Sequence, residues 1–221
     1  MDVWNFILDH DSEFWSNGFT HAKIVGTALL LAVPLAVLVG VLASNRPRLA
    51  GVALSAAGVI ITIPSFALFG VLIAPLGLGF RPAVVTLALY SLLPVLRNTI
   101  VGLGEVPADV TEAARGMGMT GRQLLWRVQM PLALPVIIAG VRVATVMIVG
   151  ITTIAALITA GGLGTFIFDG LRSSDRTEIV AGTVTIVALA LLFDGALAIL
   201  ERLLRRRAGR EVSVPLNPAL A

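Results

Sequence analysis

The chain contains no cysteine, two histidines and a single tyrosine, and only 13% of its 221 residues are charged. Without cysteine there are no disulfides, thiolate metal sites or thiol nucleophiles. His10 and His21 stand alone near the start, too few and too far apart to hold a metal. No GxxxxGK[ST] run is present, so ATP is not bound in the phosphate-loop manner, and HExxH and GxSxG are missing as well. Nucleophile, base and metal ligands converge nowhere, so a membrane-embedded enzyme is disfavoured and no residue is assigned a catalytic, cofactor-binding or metal role. The opening residues carry acids (Asp2, Asp9, Asp11, Glu13) where a secretory signal has a basic start.

What the chain has in excess is hydrocarbon. It is 57% hydrophobic with mean hydropathy +0.96, far from the roughly 25% charge of a soluble domain. The formal charge of +3 does not imply nucleic acid, because the basic residues gather at the ends of apolar runs and not on one face. Five runs approach the roughly 20 residues that a bilayer requires: about Ile24–Ala43, Val52–Ala74, Ala83–Leu96 (continuing to Val101), Leu132–Ile154 and Ile179–Leu200. The expected fold is an all-α membrane protein of about five transmembrane helices. After the fourth run a broken or re-entrant piece is expected, leading to Gly161-Gly162-Leu163-Gly164. Residues 1–22 read either as an interfacial helix, with Trp4, Ile7, Leu8, Phe14 and Trp15 on one side, or as an irregular leader. Residues 23–204 form the membrane domain, and 205–221 a basic tail whose last ten residues are expected to be disordered.

Charge sets the orientation. Arg46, Arg48, Arg97, Arg115, Arg122, Arg127, Arg202, Arg205, Arg206, Arg207 and Arg210 fall on one side. Lys23, Arg81, Arg172 and Arg176 fall on the other. The positive-inside rule then predicts an N-terminus outside and a C-terminus in the cytoplasm. Arg142 lies within a span, and Asp194 within the last one, at comparable depths. Either they pair, each bonds carbonyls of a neighbouring subunit, or they snorkel independently. Neither is read as a substrate residue. Phe66, Phe69 and Tyr90 line the pathway or, by the commoner rule, pack. Gly140/Ala144 and Ala53/Ala57 have the spacing of close-packed helices.

The longest polar interruption, Glu105–Pro135, is predicted to lie in the cytoplasm between the third and fourth spans. Pro107 and Asp109 suit a helix start, Gly116 and Gly118 permit a turn, and Thr120 with Gln123 resembles a capping box that restarts a helix. Pro131 and Pro135 are expected to set the entry into the next span. By itself this is a cytoplasmic helix–turn–helix docking element, or an amphipathic loop lying on the bilayer.

The same residues resemble the EAA loop of binding-protein-dependent ABC import permeases. Glu112-Ala113-Ala114, Gly118, Val128, Met130 and Pro131 fall at its spacing, with Val and Met in place of Ile and Leu. Thr62–Ala67, Leu93–Thr99, Gly140–Arg142 and Ala160–Gly164 further resemble permeases of osmoprotectant importers, which carry glycine betaine, choline, carnitine or proline. The likeness covers about residues 24–200. It implies a transport subunit, not an enzyme, of the bacterial inner membrane. ATP and Mg would be bound by a separate ATPase that docks on 105–131, with Gly118 allowing the sharp turn and Glu112 making polar contacts or capping it. An extracytoplasmic binding protein would deliver substrate near Phe80–Pro82 and Gly161–Arg176. A second permease subunit, identical or related, would complete the pathway. Methionine-type importers share the short architecture and are the alternative. An ion-coupled secondary carrier is the reading from another class, weakened by the absence of an intramembrane acid cluster.

Overall fold

Where lipid replaces water, each backbone N–H and C=O must find a partner inside its own segment, so the apolar runs have to be helices. The structure, a computed structural model, describes residues 2–207 and contains no strand among them. Its helices are α1 (Val3–Asp9), α2 (Asp11–Ser44), α3 (Pro47–Thr62), α4 (Ser65–Leu76), α5 (Phe80–Gly104), α6 (Ala108–Gly116), α7 (Gly121–Leu124), α8 (Met130–Ala155), α9 (Gly164–Ser173) and α10 (Arg176–Arg207). The expected tail 205–221 lies almost wholly outside the described residues.

Four helical stretches are long and apolar enough to cross a membrane: Asp11–Ser44, Phe80–Gly104, Gly121–Ile158 and Arg176–Arg206. The second expected span is not one straight helix. α3 and α4 meet at a 96° bend. Pro64 has no N–H to continue the ladder, and it forces Ile63 into an extended conformation (φ −70°, ψ 126°). The pair still makes the fifth crossing. α5 begins beside the end of α8, where the Gly79 N–H donates to the Ile158 carbonyl (2.8 Å). α3 begins at the opposite end, after α2, so α3 and α4 together return the chain. We call the end where α2 begins the upper end, and the end holding α6 and α7 the lower.

The first spanning helix begins inside the expected leader of residues 1–22. His10 (φ −117°, ψ 27°) separates α1 from α2, and from Asp11 onward the chain is already the first spanning helix. α1 packs against α10, and Phe6, Phe14 and Phe166 of α9 form a ring cluster, the last two stacked at 3.9 Å.

α2, α5 and α8 form the centre, with α10 against α8 and α9. Two contacts need the absence of a side chain. A Cβ on Gly40 would lie 2.6 Å from Thr99 Cγ2, and one on Gly140 2.5 Å from Asn98 Cβ. Gly140 and Ala144 thus do mark a close helix approach, and Ala57 is buried as well. Of the buried hydroxyls, Ser91, Thr99, Thr145 and Thr152 each donate to the carbonyl four residues earlier within their own helices, whereas the Thr86 hydroxyl has no hydrogen-bond partner among the described residues. His21, dismissed in the sequence as a leader residue, is fully buried, with Nε2 3.0 Å from the Val149 carbonyl oxygen. A carbonyl only accepts, so Nε2 carries the proton and Nδ1 the lone pair.

After α8 the helix tightens to a 3-10 turn (Ala156–Ile158), reverses at Thr159 (φ 62°), and reaches α9 through Gly161 and Gly162. This is the expected broken piece. It sits against α2, where Gly162 lies over the His21 ring.

Candidate functional site: an extramembrane helix pair and an intramembrane ion cluster

The polar insert folds as two short helices around a tight turn. α6 starts after Pro107, whose carbonyl accepts from the Thr111 N–H. Asp109 lies in its first turn and Arg115 in its last, each at the end of the helix dipole that favours its charge. The helix closes with the two hydrogen bonds of a Schellman motif. The Gly118 N–H donates to the Arg115 carbonyl (2.9 Å) and the Met119 N–H to the Ala114 carbonyl (3.2 Å). That closure needs a left-handed residue at position 118, where glycine sits at φ 80°. Thr120 at once caps α7. Its hydroxyl accepts from the Gln123 N–H (3.3 Å), and the Gln123 side-chain oxygen accepts from the Thr120 N–H (2.8 Å). Five residues therefore contain one helix stop and one helix start.

Ala114 and Leu124 are buried, while Glu112, Ala113, Arg115 and Met117 (72% exposed) face outward. Glu112, Arg115, Arg122 and Arg127 make no ion pair among the described residues. Trp126 is 59% exposed beside them. An unpaired polar surface with two large apolar side chains is suited to docking another protein.

Pro131 lies in the first turn of α8 and Pro135 inside it, at the entry into the next span, and neither breaks the path. α7 passes through π-helical turns, Leu125–Gln129, directly into α8. A wider turn leaves room for a proline ring and for the carbonyl that loses its N–H partner. Val128 lies half-buried in these turns, Met130 half-buried at the start of α8, and Pro131 exposed next to it. The α6–α7 pair is thus joined to the end of a continuous helical stretch, Gly121–Ile158, long enough to cross the membrane.

On that stretch, Arg142 faces α10. Its Nε and Nη2 donate to the two Asp194 carboxylate oxygens, both at 2.9 Å. Nη1 donates to Glu201 (2.7 Å), whose other oxygen accepts from Arg205 (2.9 Å). Glu201 is the member that sequence reading missed. It stands seven residues after Asp194, two helical turns or about 10 Å, so both carboxylates share one face of α10. Residue type and spacing were the available signal. The side chains of Arg142 and Asp194 remain 29% and 33% exposed, beside a cavity of about 530 Å³ lined by Ala139, Val143, Val146 and Met147. With opposite charges balanced, the cluster suits joining two helices better than binding a charged solute.

Phe66, Phe69 and Tyr90 are not brought together around a cavity. Phe69 is fully buried in the core, whereas Phe66 is 60% exposed. The Tyr90 hydroxyl donates to the Ile63 carbonyl at the α3–α4 break. The bend turns neighbouring aromatics to different sides, which a straight span would not have done. Phe80 receives Lys23 Nζ over its ring at 5.4 Å, so the segments Phe80–Pro82 and Gly161–Arg176 share the upper end.

Several membrane crossings, with a polar helix pair inserted between two of them, define a multi-pass membrane protein. The chain belongs to the family of binding-protein-dependent transport system inner membrane components, whose model matches residues 32–208. It is 44% identical over 200 residues to the osmoprotectant import permease protein OsmW of Salmonella typhimurium, covering 88% of this chain and 93% of the relative. It is 39% identical over 209 residues to the carnitine transport permease protein OpuCB of Listeria monocytogenes, covering 95% and 96%. Among solved structures, an inward-facing MetNI methionine ABC transporter aligns with TM-score 0.74 at 23% identity, covering 87% of this chain and 96% of the other. At that identity the likeness speaks for the fold. The chain is an ABC importer permease and crosses the membrane several times.

Proposed function

We propose that this permease forms half of the translocation pathway of an ATP-driven importer for a compatible solute such as glycine betaine, carnitine, choline or proline. The observation that carries the coupling role is the exposed α6–α7 pair, built by a Schellman stop and a capping box at the end of an unbroken helical stretch. A separate ATPase docks there and its closure is passed up α8. Mg and ATP belong to that subunit. The substrate class rests on the relatives named for osmoprotectant and carnitine transport. A methionine-type cargo is the second reading, supported by the shared architecture. The N-terminus lies outside and the C-terminus in the cytoplasm, as the distribution of arginine indicates. An extracytoplasmic binding protein delivers cargo to the upper end, and a second permease subunit closes the pathway.

Reconstitution into proteoliposomes with ATPase and binding protein tests this. Uptake of radiolabelled glycine betaine or carnitine is expected only with ATP inside and binding protein outside. Uptake without the ATPase, driven by an ion gradient, refutes the importer. Uptake of methionine in place of either solute reassigns the cargo.

A further inference from the structure

The outward faces of the spans are not alike. α2 turns Leu30, Leu31, Leu35, Leu38 and Leu42 outward, each more than half exposed, as suits a helix facing lipid. α8 buries Gly140, Ala144, Ile148 and Thr152 and turns outward Val143, Val146 and Gly150, a strip with the three- and four-residue spacing of one helix side. At its edge stands the Arg142–Asp194 pair, whose side chains remain 29% and 33% exposed. Arg142 falls at the middle of α8, Met130–Ala155, about 15 Å along the helix from Leu132, where the apolar run begins. Partly open charges at that depth are costly against hydrocarbon, and ionisable residues inside spans face the bundle interior or a water-filled cavity. The pair borders the cavity of about 530 Å³ whose other walls are Ala139, Val143, Val146 and Met147. This strip is therefore not a lipid face.

The pair has unused binding capacity. A guanidinium carries five N–H donors. Asp194 takes two of them and Glu201 one, which leaves one on each Nη without an acceptor among the described residues. The Glu201 end is closed, since that carboxylate is 10% exposed and bridges Arg142 to Arg205. The Asp194 end opens on the cavity. The four charges balance, so a solute with one charge is attracted by one member of the pair and repelled by the other. A solute with both charges satisfies both. Its carboxylate accepts from the free N–H groups of Arg142, its cationic nitrogen lies beside Asp194, and its carbon skeleton rests on Val143, Val146 and Met147.

We propose that the Arg142–Asp194 pair and the cavity beside it form a subsite for a small zwitterion on the wall of the transport pathway, with Glu201 and Arg205 holding the pair in place. The subsite rests on the importer reading above and narrows it. Cargo with a carboxylate, such as glycine betaine, carnitine or proline, engages Arg142, and choline, which has none, does not.

The chain has no cysteine, so single cysteines report on the strip. The full permease assembly with its ATPase, in nanodiscs, carries Val146→Cys, Gly150→Cys or, on the leucine face of α2, Leu30→Cys. It is treated with the water-soluble reagent 2-sulfonatoethyl methanethiosulfonate. The first two variants are expected to react and Leu30→Cys to stay unreacted. Saturating glycine betaine is expected to slow the reaction of Val146→Cys about tenfold, the worth of one charge-assisted hydrogen bond, and choline at the same concentration to leave it unchanged. Adding Arg142→Gln, Asp194→Asn and Glu201→Gln together is expected to keep the reaction and remove the protection. If Val146→Cys and Gly150→Cys react no faster than Leu30→Cys, the strip meets lipid or dry protein and the site is overturned. No protection by glycine betaine, equal protection by choline, or protection that survives the three neutral substitutions overturns the zwitterion subsite, and the first two need no variant of the pair. ATP-driven uptake by the wild type is measured in parallel: its absence refutes the importer, whereas intact uptake without protection refutes the subsite alone.

Discussion

Replacing Gly118 tests whether the turn between α6 and α7 is the point at which this subunit is engaged. The residue sits at φ 80° with no atom within 4 Å of where a Cβ would be. A substitution there meets no steric obstacle, so any effect comes from the backbone. Holding an ordinary L-residue in a left-handed conformation costs roughly 1–2 kcal/mol, equivalent to a factor of about 5–30 in an equilibrium constant. Little else secures the turn, because α6 packs mainly on α7 and the π-helical turns. The cost therefore falls on the fraction of molecules in the docking-competent form, and apparent affinity falls with that fraction. For Gly118→Ala we expect the Kd of the partner ATPase, titrated against the permease in nanodiscs, to rise about 5- to 30-fold. Uptake at limiting ATPase should fall in parallel while insertion stays normal. Gly118→Val should be worse, and Gly118→Asn should recover most of the loss because asparagine tolerates the left-handed region. Wild-type affinity in both Ala and Val variants, or an Asn variant as damaged as Val, would refute the reasoning.

Other positions give sharper structural tests. Arg142→Gln leaves Asp194 and Glu201 facing each other without their shared cation and should lower thermal stability in detergent. Adding Asp194→Asn and Glu201→Gln should restore much of it, whereas strictly additive losses would mean that the three do not act as a unit. Arg142→Lys should rescue poorly, because an ammonium lacks the planar fork that serves both carboxylates. Gly164→Ala places a Cβ on the Thr153 backbone and should destabilise the upper end by about 1–3 kcal/mol, read as faster proteolysis between α8 and α9. Tyr90→Phe strands the Ile63 carbonyl at the proline bend and should cost about 1–3 kcal/mol in unfolding free energy. An unchanged unfolding midpoint would show that water replaces the hydroxyl there.

The chain's local chemistry was readable in one dimension because it depends on near neighbours. The apolar runs required helices, the prolines and glycines marked breaks, and Thr120 with Gln123 marked a helix start three residues apart. The turn at Gly118 follows from its lack of a Cβ. The resemblance of Glu112-Ala113-Ala114, Gly118 and Pro131 to the EAA loop implied an importer permease, and the family match agrees. Composition alone did not distinguish a straight span from one bent at Pro64, since both bury the same residues in lipid. It also did not show that π-helical turns would carry the helix through Pro131.

Only the tertiary structure decided which polar groups meet. The Arg142 guanidinium serves two carboxylates because α8 and α10, more than fifty residues apart in the chain, lie side by side with Asp194 and Glu201 on one face. His21 looked like part of a leader, yet the fold buries it against the Val149 carbonyl beneath the Gly161–Gly162 reversal. Long-range pairing depends on how helices cross, and crossing depends on where a missing side chain, as at Gly40 and Gly140, lets two backbones approach. The sequence by itself determined that this protein is a bundle of membrane helices with a polar helix–turn–helix inserted between two of them. The three-dimensional packing determined that the inserted pair joins the end of a continuous helical stretch and that an ion cluster ties that stretch to the last span.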